Sequence, residues 1–224
     1  MKRILSLILL LPLLGLQAMA QPKLEDYFTP STAAPARPNE KGFVQRWTLL
    51  DPITKPELRS NAIFTDSYLR GEFDVQYFPG QTTMVPKDSQ KVKLDKNTSL
   101  QWHCLDSKLY NVKLYRFATG FGLRPTEGLF MAVTVINVDK DVDVRMAVGS
   151  NSGSMWWLNG EEAILLSGDR RMVVDDCVSR KLTLKAGKNV LRGSVINGPG
   201  MSDFCVRFYD MDGNIFKDFT VTNQ

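Results

Sequence analysis

The chain has 224 residues, 43% of them hydrophobic, and 28 Lys and Arg against 24 Asp and Glu give a formal charge of +4. That length holds one well-cored domain with extensions, and a charge so small and so scattered excludes the basic face that nucleic-acid binding needs. One histidine and three cysteines without a C-x-x-C pair do not make a zinc set, which draws on several Cys and His ligands; no metal and no cofactor is expected.

Residues 1–20 read as a secretory signal peptide. Lys2 and Arg3 form a positive start, Ile4 to Leu16 is an apolar run too short to span a bilayer comfortably, and Ala18-Met19-Ala20 is a small-x-small cleavage pattern. No Cys follows the run, and no later segment approaches spanning length. The expectation is an exported chain, periplasmic or extracellular, without membrane insertion. Three cysteines, Cys104, Cys177 and Cys205, leave at least one thiol free in a monomer, and the sequence names no disulfide pair.

Residues 21–42, with Pro22, Pro30, Pro35 and Pro38 among Ala, Ser and Thr, read as an extended linker. Residues 43–111 read as an N-terminal extension packing on a sandwich. There Phe43, Gln45, Trp47 and Leu49 alternate with Val44, Arg46, Thr48 and Leu50, a strand period. "FTDSYLRGEF" predicts a short helix, capped by Thr65 or Asp66, with Tyr68, Leu69 and Phe73 at helical spacing. Pro79-Gly80 marks a turn, and "SLQWHCLDS" is a further strand.

Residues 112–224 are almost purely β in pattern. "VKLYRFA", "LFMAVTVINV", "VDVRMAVGS", "MWWLNG", "EEAILLS", "RKLTLKAG", "KNVLRGSVIN", "DFCVRFYD" and "NIFKDFTV" follow one another, separated by turns rich in Asn and Gly. Short strands on short turns predict an all-β fold, a β-sandwich of jelly-roll type with an N-terminal extension containing a short helix. No repeat, no βαβ alternation and no Gly-rich phosphate loop is visible.

The adjacent tryptophans in "MWWLNGEEAIL" pose the functional question. Asn159-Gly160 favours a type I′ hairpin, whose two central residues take positive φ. Along the preceding strand Met155 and Trp157 face one way, Trp156 and Leu158 the other. At most one tryptophan therefore faces solvent as a sugar platform, and the other fills the core.

"VGSNSGSMWWLNGEE", "LTLKAGKNVLRGSVIN" and "DFCVRFYDMDGN" resemble the galactose-binding-like jelly-roll module of secreted Bacteroidetes carbohydrate-active enzymes. The matching elements are Val148–Gly153, Trp157–Gly160, Leu184–Asn189 and Phe204–Asp210, and the likeness covers about half the chain. It implies the fold and a role in polysaccharide degradation; some similar proteins are labelled acetylxylan esterases or glycoside hydrolases. Asn151-Ser152 stands where that family often has Asp-Asp, which removes two charges from a loop suited to calcium or a polar ligand.

An esterase needs a nucleophile, a base and an oxyanion hole. His103 is the one candidate base, with Asp106 and Ser107 near it in sequence, and no G-x-S-x-G elbow occurs. A glycosidase needs facing carboxylates; Asp66, Glu72, Asp169, Asp175 and Asp176 are candidates. The charged loop "GDRRMVVDD" offers Arg170, Arg171, Asp175 and Asp176 for a polar pocket, or else carries internal ion pairs. The glycine-rich loop "NGPGMSDF" offers Asn197, Ser202 and Asp203.

Three readings follow, in this order. The first is a non-catalytic module that binds polysaccharide or oligosaccharide through Trp156 or Trp157, Arg170, Arg171, Asp175, Asp176, Asn197 and Asp203, beside a secreted enzyme partner. The second is an acetylxylan esterase or other glycan hydrolase with His103 as base. The third is a protein-interaction module of a secreted complex.

Overall fold

A computed structural model describes residues 23–224; the expected signal peptide falls outside the described residues. The chain runs through β1 (Phe28–Pro30), β2 (Arg46–Leu50), β3 (Ile53–Thr54), helix α1 (Asp66–Phe73), β4 (Lys91–Lys93) and β5 (Ser99–Ser107). Helix α2 (Leu114–Gly120) precedes β6 (Gly128–Val138), β7 (Val142–Ser150), β8 (Gly153–Leu158) and β9 (Glu161–Leu166). β10 (Cys177–Val178), β11 (Leu182–Leu184), β12 (Gly187–Asn197), β13 (Phe204–Tyr209), β14 (Ile215–Phe216) and β15 (Thr220–Thr222) follow.

These strands form two antiparallel sheets. The ten-stranded sheet is ordered β1-β5-β2-β6-β12-β8-β9, with β3 and β15 also paired to β6 and β4 to β5; the five-stranded sheet is β10-β7-β13-β14, with β11 on β7. Alternation in each strand sends one row of side chains between the sheets. Trp47, Leu49, Phe130, Ala132, Trp156, Leu191 and Val195 from the large sheet meet Val144, Met146, Val148, Phe204, Val206 and Phe208 from the small one. The protein is an all-β sandwich around this core.

The large sheet is apolar on its other face as well. Leu50, Trp102, Leu129, Met131, Val133, Met155 and Ile196 point outward and are covered by Leu58, Phe64, Leu69, Phe73, Phe78 and Val92. Helix α1 begins where the Thr65 side chain accepts from the Tyr68 N–H at 3.2 Å, an N-cap, and buries Leu69 and Phe73. It sits close because Gly153 lies beneath it: a Cβ there would come within 2.6 Å of the Leu69 side chain. The sheet is thus the middle of three layers, and its outer face is roofed rather than solvated.

Three sequence expectations differ from this structure. The stretch expected to be a linker is tied to the fold over its described part: β1 pairs with β5, Ala36 bridges to Val221, and Phe28 is 2% exposed. Pro30 is compatible with this because β1 is an edge strand, where a missing N–H costs no ladder bond. "VKLYRFA" yields α2 rather than a strand, because Leu114, Phe117 and Ala118 form one buried face at i, i+3 and i+4. The division at residue 112 runs through the large sheet, since β5 and β2 lie beside β6. Among the described residues the cysteines are free, with Cys104 and Cys205 buried and Cys177 partly buried.

Candidate ligand-binding site

The tryptophan pair separates as the strand period requires. Asn159 and Gly160 have φ of 53° and 87°, the geometry of the expected hairpin between β8 and β9. Trp156 points inward, is 0% exposed, and packs edge-on against Trp47 and Phe204. Its indole N–H donates to Ser154 Oγ at 3.0 Å. Gly193 on β12 makes room for it, since a Cβ there would stand 2.3 Å from the ring. Trp156 is therefore a core residue, and the candidacy as a ligand contact passes to Trp157 alone.

Trp157 points outward, remains partly exposed, and lies edge-on to Phe73 of α1 at 6.3 Å. Its register partner on β12 is Arg192, which in turn faces Val133 on β6. One step along, Ser194 lies between Met155 and Met131. The roof leaves a gap over these rows: a pocket with about 550 Å³ of empty space, its open mouth included, lined by Phe73, Gln81, Thr82, Trp102, Trp157, Arg192 and Ser194 among others.

The polar groups of this pocket are incompletely partnered. Arg192 is 9% exposed, and its Nη1 is buried without a hydrogen bond. Burial pulls its pKa down to about 10, with no carboxylate to offset the loss of hydration. The Trp102 indole nitrogen is likewise buried without a partner. Nearby carboxylates are engaged elsewhere: Glu162 with Arg70 at 2.6 Å and Glu72 with Lys55 at 2.7 Å. Sequence reading passed over Arg192 because it treats the outer face of a sandwich as solvated. The available signal was an Arg and a Ser on the same face as Val190 and Ile196 inside an otherwise core strand.

The charged loop closes on itself and on the small sheet. Arg170 donates to Asp176 Oδ2 at 2.6 Å. Arg207 Nε donates to Asp175 Oδ1 at 2.9 Å, and the Tyr209 hydroxyl donates to Asp175 Oδ2 at 2.7 Å. Burial raises the Asp175 carboxyl, but these donors outweigh it and hold its pKa below the usual value. The loop lies directly on β7, where a Cβ at Gly149 would collide with the Val173 carbonyl oxygen at 1.8 Å. Arg171 is exposed. The structure thus gives Arg170, Asp175 and Asp176 partners within the protein and sets none of them beside Trp157.

Asn197 and Asp203 are 1% and 7% exposed and lock two loops together. Ser152 Oγ donates to Asn197 Oδ1 at 2.5 Å, the Asp203 N–H donates to Asn151 Oδ1 at 3.1 Å, and Lys113 pairs with Asp203 Oδ2 at 2.7 Å. A second depression of about 540 Å³ opens beside this knot, between Tyr27, Lys113, Arg116 and Asp203. Its Lys113 is already paired with Asp203, whereas Arg192 has no counterion.

His103 and Asp106 do not act together. They are three residues apart on β5, so alternation places them on opposite faces. His103 Nε2 is hydrogen-bonded to Asp51 Oδ1 at 2.8 Å, and its ring is 4.0 Å from that of Phe121. Asp106 instead receives both Nε and Nη2 of Arg46 at 2.8 and 2.7 Å. Ser107 donates to the Leu109 and Asn111 carbonyls. Among the described residues no hydroxyl is hydrogen-bonded to His103, and no three His, Cys, Asp or Glu side chains gather as a metal site. No helix among them is long and apolar enough to cross a membrane.

No family model matches the chain, and no curated protein matches it. Among solved structures it is similar to the PA14 domain of the MpAFP antifreeze protein, at 8% identity and a TM-score of 0.47 over 87% of this chain and 95% of that one. It is also similar to the PA14 sugar-binding domain from an RTX adhesin, at 9% identity and a TM-score of 0.44 over 79% and 96% of the two chains. A third is the epithelial adhesin 9 A domain from Candida glabrata in complex with Galb1-3GlcNAc, at 9% identity and a TM-score of 0.40 over 86% and 95%. Likeness at this level assigns neither ligand nor site.

Proposed function

We propose that this protein is a non-catalytic carbohydrate-binding β-sandwich, exported by the segment 1–20, that holds a plant polysaccharide of the xylan type beside a secreted degrading enzyme. The observation that carries the reading is the partly exposed Trp157 ring in the wall of an open pocket that Ser194 and Thr82 also line. A sugar offers an apolar face of C–H groups and a rim of hydroxyls, and a site with an aromatic wall and a few placed polar groups suits both. The pocket rests on sheet strands, so its geometry is held rigidly. Export rests on the residues of the signal-like segment, and the polysaccharide class on the sequence resemblance. The test is retention on insoluble xylan, with Trp157→Ala alongside. Binding by the wild type that the variant loses supports the reading; equal retention of both places any binding elsewhere.

A further inference from the structure

The outer-face pocket holds a cation that the fold leaves without an anion. Arg192 is 9% exposed, and its Nη1 has no hydrogen-bond partner. A buried guanidinium without a counterion destabilises the fold relative to a paired one, so a chain that needed only stability would carry an apolar residue there. The neighbours on both sides in register, Val133 and Trp157, carry no charge. Glu162, across the sheet beyond Trp157, is taken by Arg70, and Glu72, next to Phe73 of the pocket wall, by Lys55. The anion that completes the site must then come from outside, through the open mouth of the pocket.

The chemistry of the site narrows that anion. A guanidinium presents parallel N–H donors that match the two oxygens of a carboxylate. Trp157 flanks the Arg192 position and lines the same opening with its aromatic side chain. Trp102 adds an indole N–H that lacks an acceptor, and Ser194 follows Arg192 on the same face. A small inorganic anion would use the arginine and leave the aromatic wall idle; a neutral sugar would use the wall and leave the arginine uncompensated.

We propose that the pocket takes an acidic saccharide, a hexuronate whose carboxylate meets Arg192 while its ring lies against Trp157. This rests on the carbohydrate-binding reading above and specifies its ligand. Arg192 is then the residue that selects acidic over neutral sugars, and Trp157 contributes to both.

The experiment is calorimetric titration of the full-length protein with trigalacturonate, with a xylo-oligosaccharide bearing one glucuronate branch, and with the carboxyl-reduced form of each. Free acetate and sulfate are added as further titrants. Arg192→Met and Arg192→Lys are compared with wild type, their folding checked by thermal melts. The proposal expects at least one acidic oligosaccharide to bind about tenfold or more tighter than its reduced form. Arg192→Met should remove that difference, and Arg192→Lys, which keeps the charge but not the fork, should retain part of it. Equal binding of acidic and reduced forms, unchanged in Arg192→Met, overturns the acidic-sugar assignment and leaves the carbohydrate reading standing. Binding of acetate or sulfate as tight as that of the oligosaccharides also overturns it, because the sugar ring would then contribute nothing. Binding of none of the saccharides overturns both.

Discussion

Trp157 and Arg192 are direct register partners on neighbouring antiparallel strands, and both project from the roofed face of the ten-stranded sheet. Trp156, one residue earlier, is register partner to Gly193 and lies in the core between the sheets. A single peptide step therefore separates a core residue from one that lines the outer-face pocket.

The two tryptophans should differ in what their removal costs. Trp156→Ala empties a site that is 0% exposed and is expected to destabilise the fold by about 3–5 kcal/mol. Trp157→Ala is expected to cost clearly less, because its ring is only partly buried. Urea midpoints of the two variants check this, and a larger loss from Trp157→Ala would contradict the assignment of faces.

Arg192→Met should make the unliganded protein more stable at neutral pH, by about 1–3 kcal/mol, since it removes a buried unsatisfied donor and keeps the volume. Burial lowers the Arg192 pKa to about 10, so the unfolded chain holds the proton more firmly. The penalty is present below the folded value and relieved only as pH rises above it. Equilibrium unfolding at pH 7 is the measurement; a variant less stable than wild type would mean that the guanidinium is satisfied in the fold.

The Asp175 cluster predicts acid sensitivity. Its pKa is held below the reference of 3.8 in the folded protein: burial raises it, and Arg207 and Tyr209 more than reverse this. A depressed carboxyl contributes stability above the unfolded value that is lost as pH falls through the folded one. Asp175→Asn tolerates the local φ of 57° and should cost about 1.5–3 kcal/mol at pH 7. The difference from wild type should shrink below about pH 4. A difference that stays constant down to pH 2 would show that the carboxylate charge is not what Arg207 and Tyr209 hold.

His103 should prove structural. Its Nε2 is taken by Asp51 and its ring by Phe121, so wild type and His103→Ala are expected to hydrolyse p-nitrophenyl acetate at the same background rate. Activity that vanishes in the variant would restore the esterase reading.

Much of the fold was legible in the chain because alternation and turn chemistry are local. β5 and β7 match the strands read from "SLQWHCLDS" and "VDVRMAVGS", and α1 begins at the Thr65 cap. The helix α2 was missed because seven residues fit either period until the buried neighbours are known. β1 was missed because a proline-rich stretch gains its order from the edge of β5, which is distant in sequence. For the same reason the site was half legible. The hairpin gave the opposite faces of Trp156 and Trp157, but only the roof formed by residues 58–92 turns the outer face into a pocket and leaves Arg192 buried. Asp106 could have been excluded as a partner of His103 from strand parity alone.

The most direct test follows the indole N–H signals of the four tryptophans by two-dimensional NMR as xylo-oligosaccharides, with and without a glucuronate branch, are added. Trp→Phe variants assign the signals. Trp157 lines the pocket together with Trp102, while Trp47 and Trp156 are sealed between the sheets. The account predicts that Trp157 and Trp102 shift with a saturable dependence on the glycan while Trp47 and Trp156 stay in place. No shift with any of these glycans, or shifts confined to the core pair, would contradict a carbohydrate site on the outer face.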